Sequence, residues 1–284
     1  MSRDYPSHPL DGPRHKLGRA ERQLDDLEAE IARFLRRDTY EITQDFDPES
    51  GRVELWFVMK HRPPLSWSVA MGEIVHNLRS ALDHLACQLF LTSGGIDCDW
   101  TQFPILSDDT DAGFQRWIDK RLPGLSNEIA AELRRLQPYK RGDEAARDPL
   151  AILNRLSNED KHRLLVPMFA ATIPGSTGMI GHRELRDVEE APSATFDLAA
   201  GPLSADAPIA VLDFPITGPN PHVEVEPHFP IDIAFDNGGP VVTVLRAIGG
   251  YVSNRVFNAF LRFFPSPLPK IDLPEVLPPP RSFG

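Results

Sequence analysis

The sequence predicts an α+β fold, a helical bundle carrying a β-hairpin and a small, mainly antiparallel β element. Three patterns lead there. Leu17, Ala20, Leu24, Leu27, Ile31 and Phe34 recur at helical spacing with charges between them. Polar and apolar residues alternate on both sides of Asp47-Pro48-Glu49-Ser50-Gly51, the pattern of two strands joined by a turn. Between Leu164 and Asp236, apolar runs such as IAVLDFPI alternate with Pro, Gly and acidic residues, as short strands joined by loops do.

Each element follows in order. A helix is expected over His15 to Arg37 and a hairpin over Thr39 to Lys60, ended by Pro63-Pro64. A long helix should run from Ser66 to Leu91, where Ser93-Gly94-Gly95 stops it. Shorter helices are expected over 110–121, 126–137 and 149–163, with Ser126 and Asp148 as N-caps and Pro149 in a first turn. Helical periodicity resumes at Val241 and continues to Phe264, with Gly249-Gly250 placed to break or kink it. The expected organisation is a flexible N-terminus over 1–12, a single α+β domain over 13–264 and a proline-rich tail over 265–284. Within the domain, 13–38, 66–163 and 241–264 are helical, and 39–61 and 164–239 are β.

Composition narrows the class. At 284 residues with 41% hydrophobic and 25% charged residues, the chain has the balance of a globular protein with a sizeable core. It lacks the apolar run of a signal peptide or a membrane span, so no membrane partner and a cytoplasmic location are expected. Cys87 and Cys98 match no zinc spacing and are too few for a disulfide framework, which predicts reduced thiols. A net charge of −11 leaves no DNA-binding footprint. Eleven Asp and Glu stand against Arg186 alone between Glu184 and Asp236, so the remainder is near neutral and RNA stays open as a partner. Gly-rich phosphate loops, a G-x-S-x-G elbow and an H-E-x-x-H pair are absent, and no cofactor is predicted.

The strongest chemical signal is "HNLRSALDHLACQLF", residues 76–90. At helical spacing Leu78, Leu82, Leu85 and Leu89 form a core face, with Ile74 and Ala81 beside it. Glu73, Ser80, Asp83 and Cys87 fall within roughly 60° of His76 on the opposite side, with Arg79 and His84 on the flanks. One reading is structural: Arg79 pairs with Asp83 and the histidines bond neighbouring main chain, in a non-catalytic ligand-sensing or protein-interaction protein.

A second reading is acid–base chemistry on RNA. Arg79-Ser-Ala-Leu-Asp-His84 resembles the R-x4-6-H motif of the HEPN superfamily. The resemblance implies a metal-independent RNase or RNA-binding module, in stress response or phage defence, built across a homodimer. His84 would be the acid–base group and Arg79 the charge stabiliser. Together with "LNRLSNEDKHRLL", residues 153–165, the segment also resembles uncharacterised bacterial proteins that pair an NLRSALDHL-like helix with a DKHR-like stretch. That second likeness implies no activity. It does draw attention to Asn154, Asn158, Lys161 and His162, which share one side of a continuing helix. If the two stripes face each other, Arg79, His84, Lys161 and His162 would form a cationic pocket for an anion such as phosphate, supported by His76, Asn77, Asp83 and Asn158.

A third reading is a metal site. Glu73-Ile-Val-His76 and Glu159-Asp-Lys-His162 are both E-x-x-H pairs, the i,i+3 ligand spacing of di-iron helical bundles. Two further sets complete the candidates. Cys87, one turn beyond His84, reads as a small packed residue rather than a nucleophile. His222, Glu224, Glu226 and His228 alternate with Val223 and Val225, so a strand places them on one face, read as solvated, and Pro227 makes that strand an edge.

Overall fold

The computed structural model describes residues 8–108, 110–171, 177–189, 196–197, 202–203, 206–228, 231–236 and 239–264. It is an α+β protein with small antiparallel sheets. The helices are α1 (Asp11–Leu35), α2 (Ser66–Thr92), α3 (Asp111–Arg121), α4 (Asn127–Arg135), α5 (Pro149–Asp160) and α6 (Val241–Tyr251). The hairpin is β1 (Tyr40–Asp47) and β2 (Arg52–Met59), followed by β3 (Met168–Ala171), β4 (Thr177–Arg186), β5 (Phe196–Asp197), β6 (Ala210–Asp213), β7 (His222–His228) and β8 (Ile231–Ala234). Contacts divide the chain into two compact units. Unit 1 is residues 1–19, 77–154 and 250–284; unit 2 is 20–76 and 155–249.

Unit 1 is helical. Thr110 caps α3 through Gly113 N, and Ser126 caps α4 through Ile129 N. Asp148, fully buried, accepts from Leu150 N at 2.8 Å at the start of α5, where Pro149 takes the first helical position. Beyond Tyr251 the last helix continues as a π-turn over Val252–Phe257.

Unit 2 holds the sheets. The hairpin closes on Gly51 at φ 74°, where a Cβ would stand 2.0 Å from Phe214 O, so only glycine fits both the backbone and the space. β6 joins the free edge of β2, giving the order β1-β2-β6, while β7 and β5 flank β4 and β3 pairs with β8. Alternate residues of β2, β6 and β7 (Val53, Leu55, Leu212, Val223, Val225) meet in one core with Phe214. Gln44 of β1 serves as a strand substitute for β7: its amide donates to Val223 O at 2.7 Å and accepts from Val225 N at 2.9 Å.

Four expectations need correction. The flexible N-terminus does not extend to residue 12, because Leu10 is fully buried and His8 N bonds the Asp11 carboxylate at the start of α1. The 149–163 helix stops at Asp160; the amides of His162 and Arg163 both turn back to Glu159 O, which closes the helix early. Gly249-Gly250 does not break α6, which passes through both before the π-turn that begins at Val252. The cysteines are not free thiols: Cys87 and Cys98 form a disulfide, with Cα atoms 5.4 Å apart, inside the range such a bridge requires. The proline-rich tail expected over 265–284 lies outside the described residues.

Candidate functional site

The core face of α2 is as expected, with Ile74, Leu78, Ala81, Leu82, Leu85 and Leu89 all buried. The opposite, polar side resolves into two ridges with different partners.

The first ridge is Arg79, Asp83 and Cys87, at successive spacings of four residues, so one follows another along the helix. All three grip the same loop. Asp83 Oδ1 accepts from Phe103 N at 2.9 Å, Arg79 Nη2 donates to Phe103 O at 2.9 Å, and Cys87 is bonded to Cys98. Arg79 and Asp83 also pair with each other at 3.0 Å. The loop buries Phe103 and Pro104, and buried main-chain groups outside a helix or sheet need side-chain partners. The ridge supplies two of them. On its other side the loop is held by the buried Gln137 amide, which donates to Pro104 O at 3.0 Å and accepts from Leu106 N at 3.0 Å. Gln137 was not singled out by sequence, and the only signal for it was the Phe-Pro pair, whose burial implies such a partner.

Arg79 is thus a largely buried, occupied side chain. Its burial lowers its pKa below the ordinary arginine value, with the Asp83 carboxylate opposing the shift. One nitrogen, Nη1, is buried without a hydrogen-bond partner.

The second ridge turns toward α1. Within unit 1, Lys16 Nζ reaches Asn77 Oδ1 at 3.5 Å, and a Cβ on Gly12 would stand 3.8 Å from His84 Nδ1. Within unit 2, Gln23 Nε2 donates to Glu73 at 2.5 Å. His76 and His84 are both exposed.

On α5, Glu159 is mostly buried and lies 2.6 Å from Arg163 and 3.8 Å from Arg155. Lys161 and His162 lie in the exposed turn after the helix, where Lys161 Nζ reaches the exposed Asn158 Oδ1 at 3.3 Å. The helices meet closely at another point of unit 2: a Cβ on Gly72 of α2 would stand 2.3 Å from Asp160 Oδ1.

The four E-x-x-H residues, Glu73, His76, Glu159 and His162, do not assemble as a ligand set among the described residues. There the group that brings three ligand atoms within 4.8 Å of one another is Glu184, His222 and Glu224 on paired β4 and β7. Glu184 also pairs with Arg186 at 2.9 Å and Glu224 with Arg183 at 3.6 Å, so arginines already compensate those carboxylates. β7 is an edge strand with Val223 and Val225 inward. His222, Glu224 and Glu226 are half-buried and His228 is exposed.

No family model, curated protein or solved structure matches the chain. Among the described residues, no helix is long and apolar enough to cross a membrane.

Proposed function

We infer that the protein is a non-catalytic ligand-sensing or protein-interaction protein in which the polar stripe of α2 is structural. One observation carries this: Arg79, Asp83 and Cys87 are all engaged by a single loop, through the Phe103 main chain and the Cys98 sulfur. An arginine that stabilises a developing charge must be turned toward the substrate, whereas this guanidinium is turned toward a main-chain carbonyl and a carboxylate.

A HEPN-like, metal-independent RNase or RNA-binding module, paired across a homodimer, is the second reading. The exposed His84 favours it, since it leaves one acid–base group open to a substrate. The cytoplasmic setting expected from the sequence stands against the Cys87–Cys98 bond, which suits an oxidising compartment.

RNA cleavage in excess EDTA, by wild type beside Arg79→Ala and His84→Ala, tests both. The structural reading expects no cleavage by any of the three, with Arg79→Ala melting lower and His84→Ala melting as wild type. Cleavage by wild type that His84→Ala abolishes in folded protein overturns it in favour of the RNase.

A further inference from the structure

Unit 2 contains a cleft of about 480 Å³, within the roughly 300–1,000 Å³ typical of small-molecule sites. Its walls are apolar, formed by Met59, Pro63, Leu65, Val166, Met168 and Phe169 among others. Leu65 is 70% exposed and Val166 54% exposed, so large hydrophobic side chains stand open to solvent around it.

The polar groups in this cleft are few and uncommitted. Ser68 is 1% exposed, and its hydroxyl is buried with no hydrogen-bond partner, a state that costs free energy unless something bonds to it. Arg62, also on the wall, is exposed and has no ion pair or hydrogen bond among the described residues. Ser68 lies in the first turn of α2, which has no acidic residue of its own there, and Arg62 shortly precedes it; the Glu30 carboxylate accepts from Trp67 Nε1 in the same turn at 2.8 Å. An orphan hydroxyl and an unpaired guanidinium favour an anion with acceptor oxygens. The walls favour hydrocarbon.

We propose that this cleft binds an amphipathic carboxylate of the medium-chain fatty-acid class, with its carboxylate at Ser68 and Arg62 and its chain along Met59, Leu65, Val166 and Phe169. The proposal deepens the ligand-sensing reading by naming a ligand class, and it rests on that reading while requiring nothing of Arg79 or His84. The Ser68 hydroxyl donates to one carboxylate oxygen, Arg62 pairs with the charge, and the chain covers apolar surface that water now meets.

The test is calorimetric titration of the full chain with sodium decanoate and with decanol, using wild type, Arg62→Gln and Ser68→Ala. Sedimentation with phosphatidylcholine vesicles distinguishes a free acid from an acyl chain of a membrane lipid. Saturable one-to-one decanoate binding is expected, weakened about tenfold by Arg62→Gln, as loss of a charge-assisted contact implies. Ser68→Ala should also weaken it, and Arg62→Gln should leave decanol binding unchanged. Arg62 is on the surface, so that variant folds as wild type does. No saturable decanoate binding overturns the proposal, as does binding that neither substitution weakens, or capture by vesicles alone. If decanoate fails to bind and RNA is not cleaved, the ligand class is wrong and the non-catalytic reading stands. If decanoate binds and RNA is cleaved, the reverse holds.

Discussion

Arg79 and Asp83 sit 3.0 Å apart on successive turns of α2, and each holds one main-chain group of Phe103. The pair acts as a clamp on a loop. Asp83→Ala leaves Phe103 N without its acceptor and Arg79 buried without its counter-charge, so it should cost about 1–3 kcal/mol. His84→Ala removes an exposed ring and should change stability by less than about 0.5 kcal/mol. Thermal or urea melts of the two variants check the contrast, and equal losses would show that the clamp is not what holds the loop.

The disulfide makes a second prediction about the same loop. Thiol titration of unreduced, denatured protein should find no free cysteine, where reduced thiols would give two. Cys87→Ser with Cys98→Ser should lower stability by about 2–4 kcal/mol, as expected for a bridge that closes a short loop. Because Asp83 and Arg79 grip the loop independently, the double variant should still fold.

Much of this architecture was legible in the sequence, and what was missed has a physical reason. The hairpin, the long helix, the caps Ser126 and Asp148 and the buried face of α2 follow from local patterns, namely periodicity, turn residues and capping chemistry. The end of α5 does not, because Lys161 and His162 keep the helical pattern while their turn is closed by main-chain bonds to Glu159 O. The polar stripe of α2 was visible, but its partners were not. Phe103 contributes only backbone to the Arg79 and Asp83 contacts, and a backbone partner leaves no signature in residue type. The Cys87–Cys98 bond depends on how a loop returns to its helix, which spacing alone does not encode. The cleft at Ser68 is lined mainly by residues outside the quoted motifs, and Leu164, which lies inside one, carries no chemical signal there.

Asp148 tests the value of a buried cap. Its Oδ1 accepts from Leu150 N, and Arg141 Nε approaches Oδ2 at 2.5 Å, although that second oxygen lacks hydrogen-bond geometry. Tyr251 and Asp148 together raise the pKa of the half-exposed Arg141 above the ordinary arginine value. Asp148→Asn keeps the capping oxygen and loses the charge, while Asp148→Ala loses both. The alanine variant should therefore melt lower than the asparagine variant, by about 1–2 kcal/mol for the cap. Equal losses would assign the whole effect to the ion pair.

Asp232 gives the pH dependence a definite sign. Half-buried on β8, it has its pKa raised chiefly by burial, with Glu28 adding to the shift and the Ile233 N–H opposing it. A carboxyl whose folded pKa lies above its unfolded value binds its proton more tightly in the folded state. Its contribution to stability is complete below the ordinary value of 3.8 and is lost as pH rises through the higher folded value. Asp232→Asn fixes the neutral form and keeps an oxygen for Ile233 N. The variant should match wild type near pH 3 and melt higher near pH 7, with the gap opening between. A gap of the same size at both ends, or a variant less stable at neutral pH, would mean that the charged carboxylate is better accommodated beside Glu28 than its burial implies.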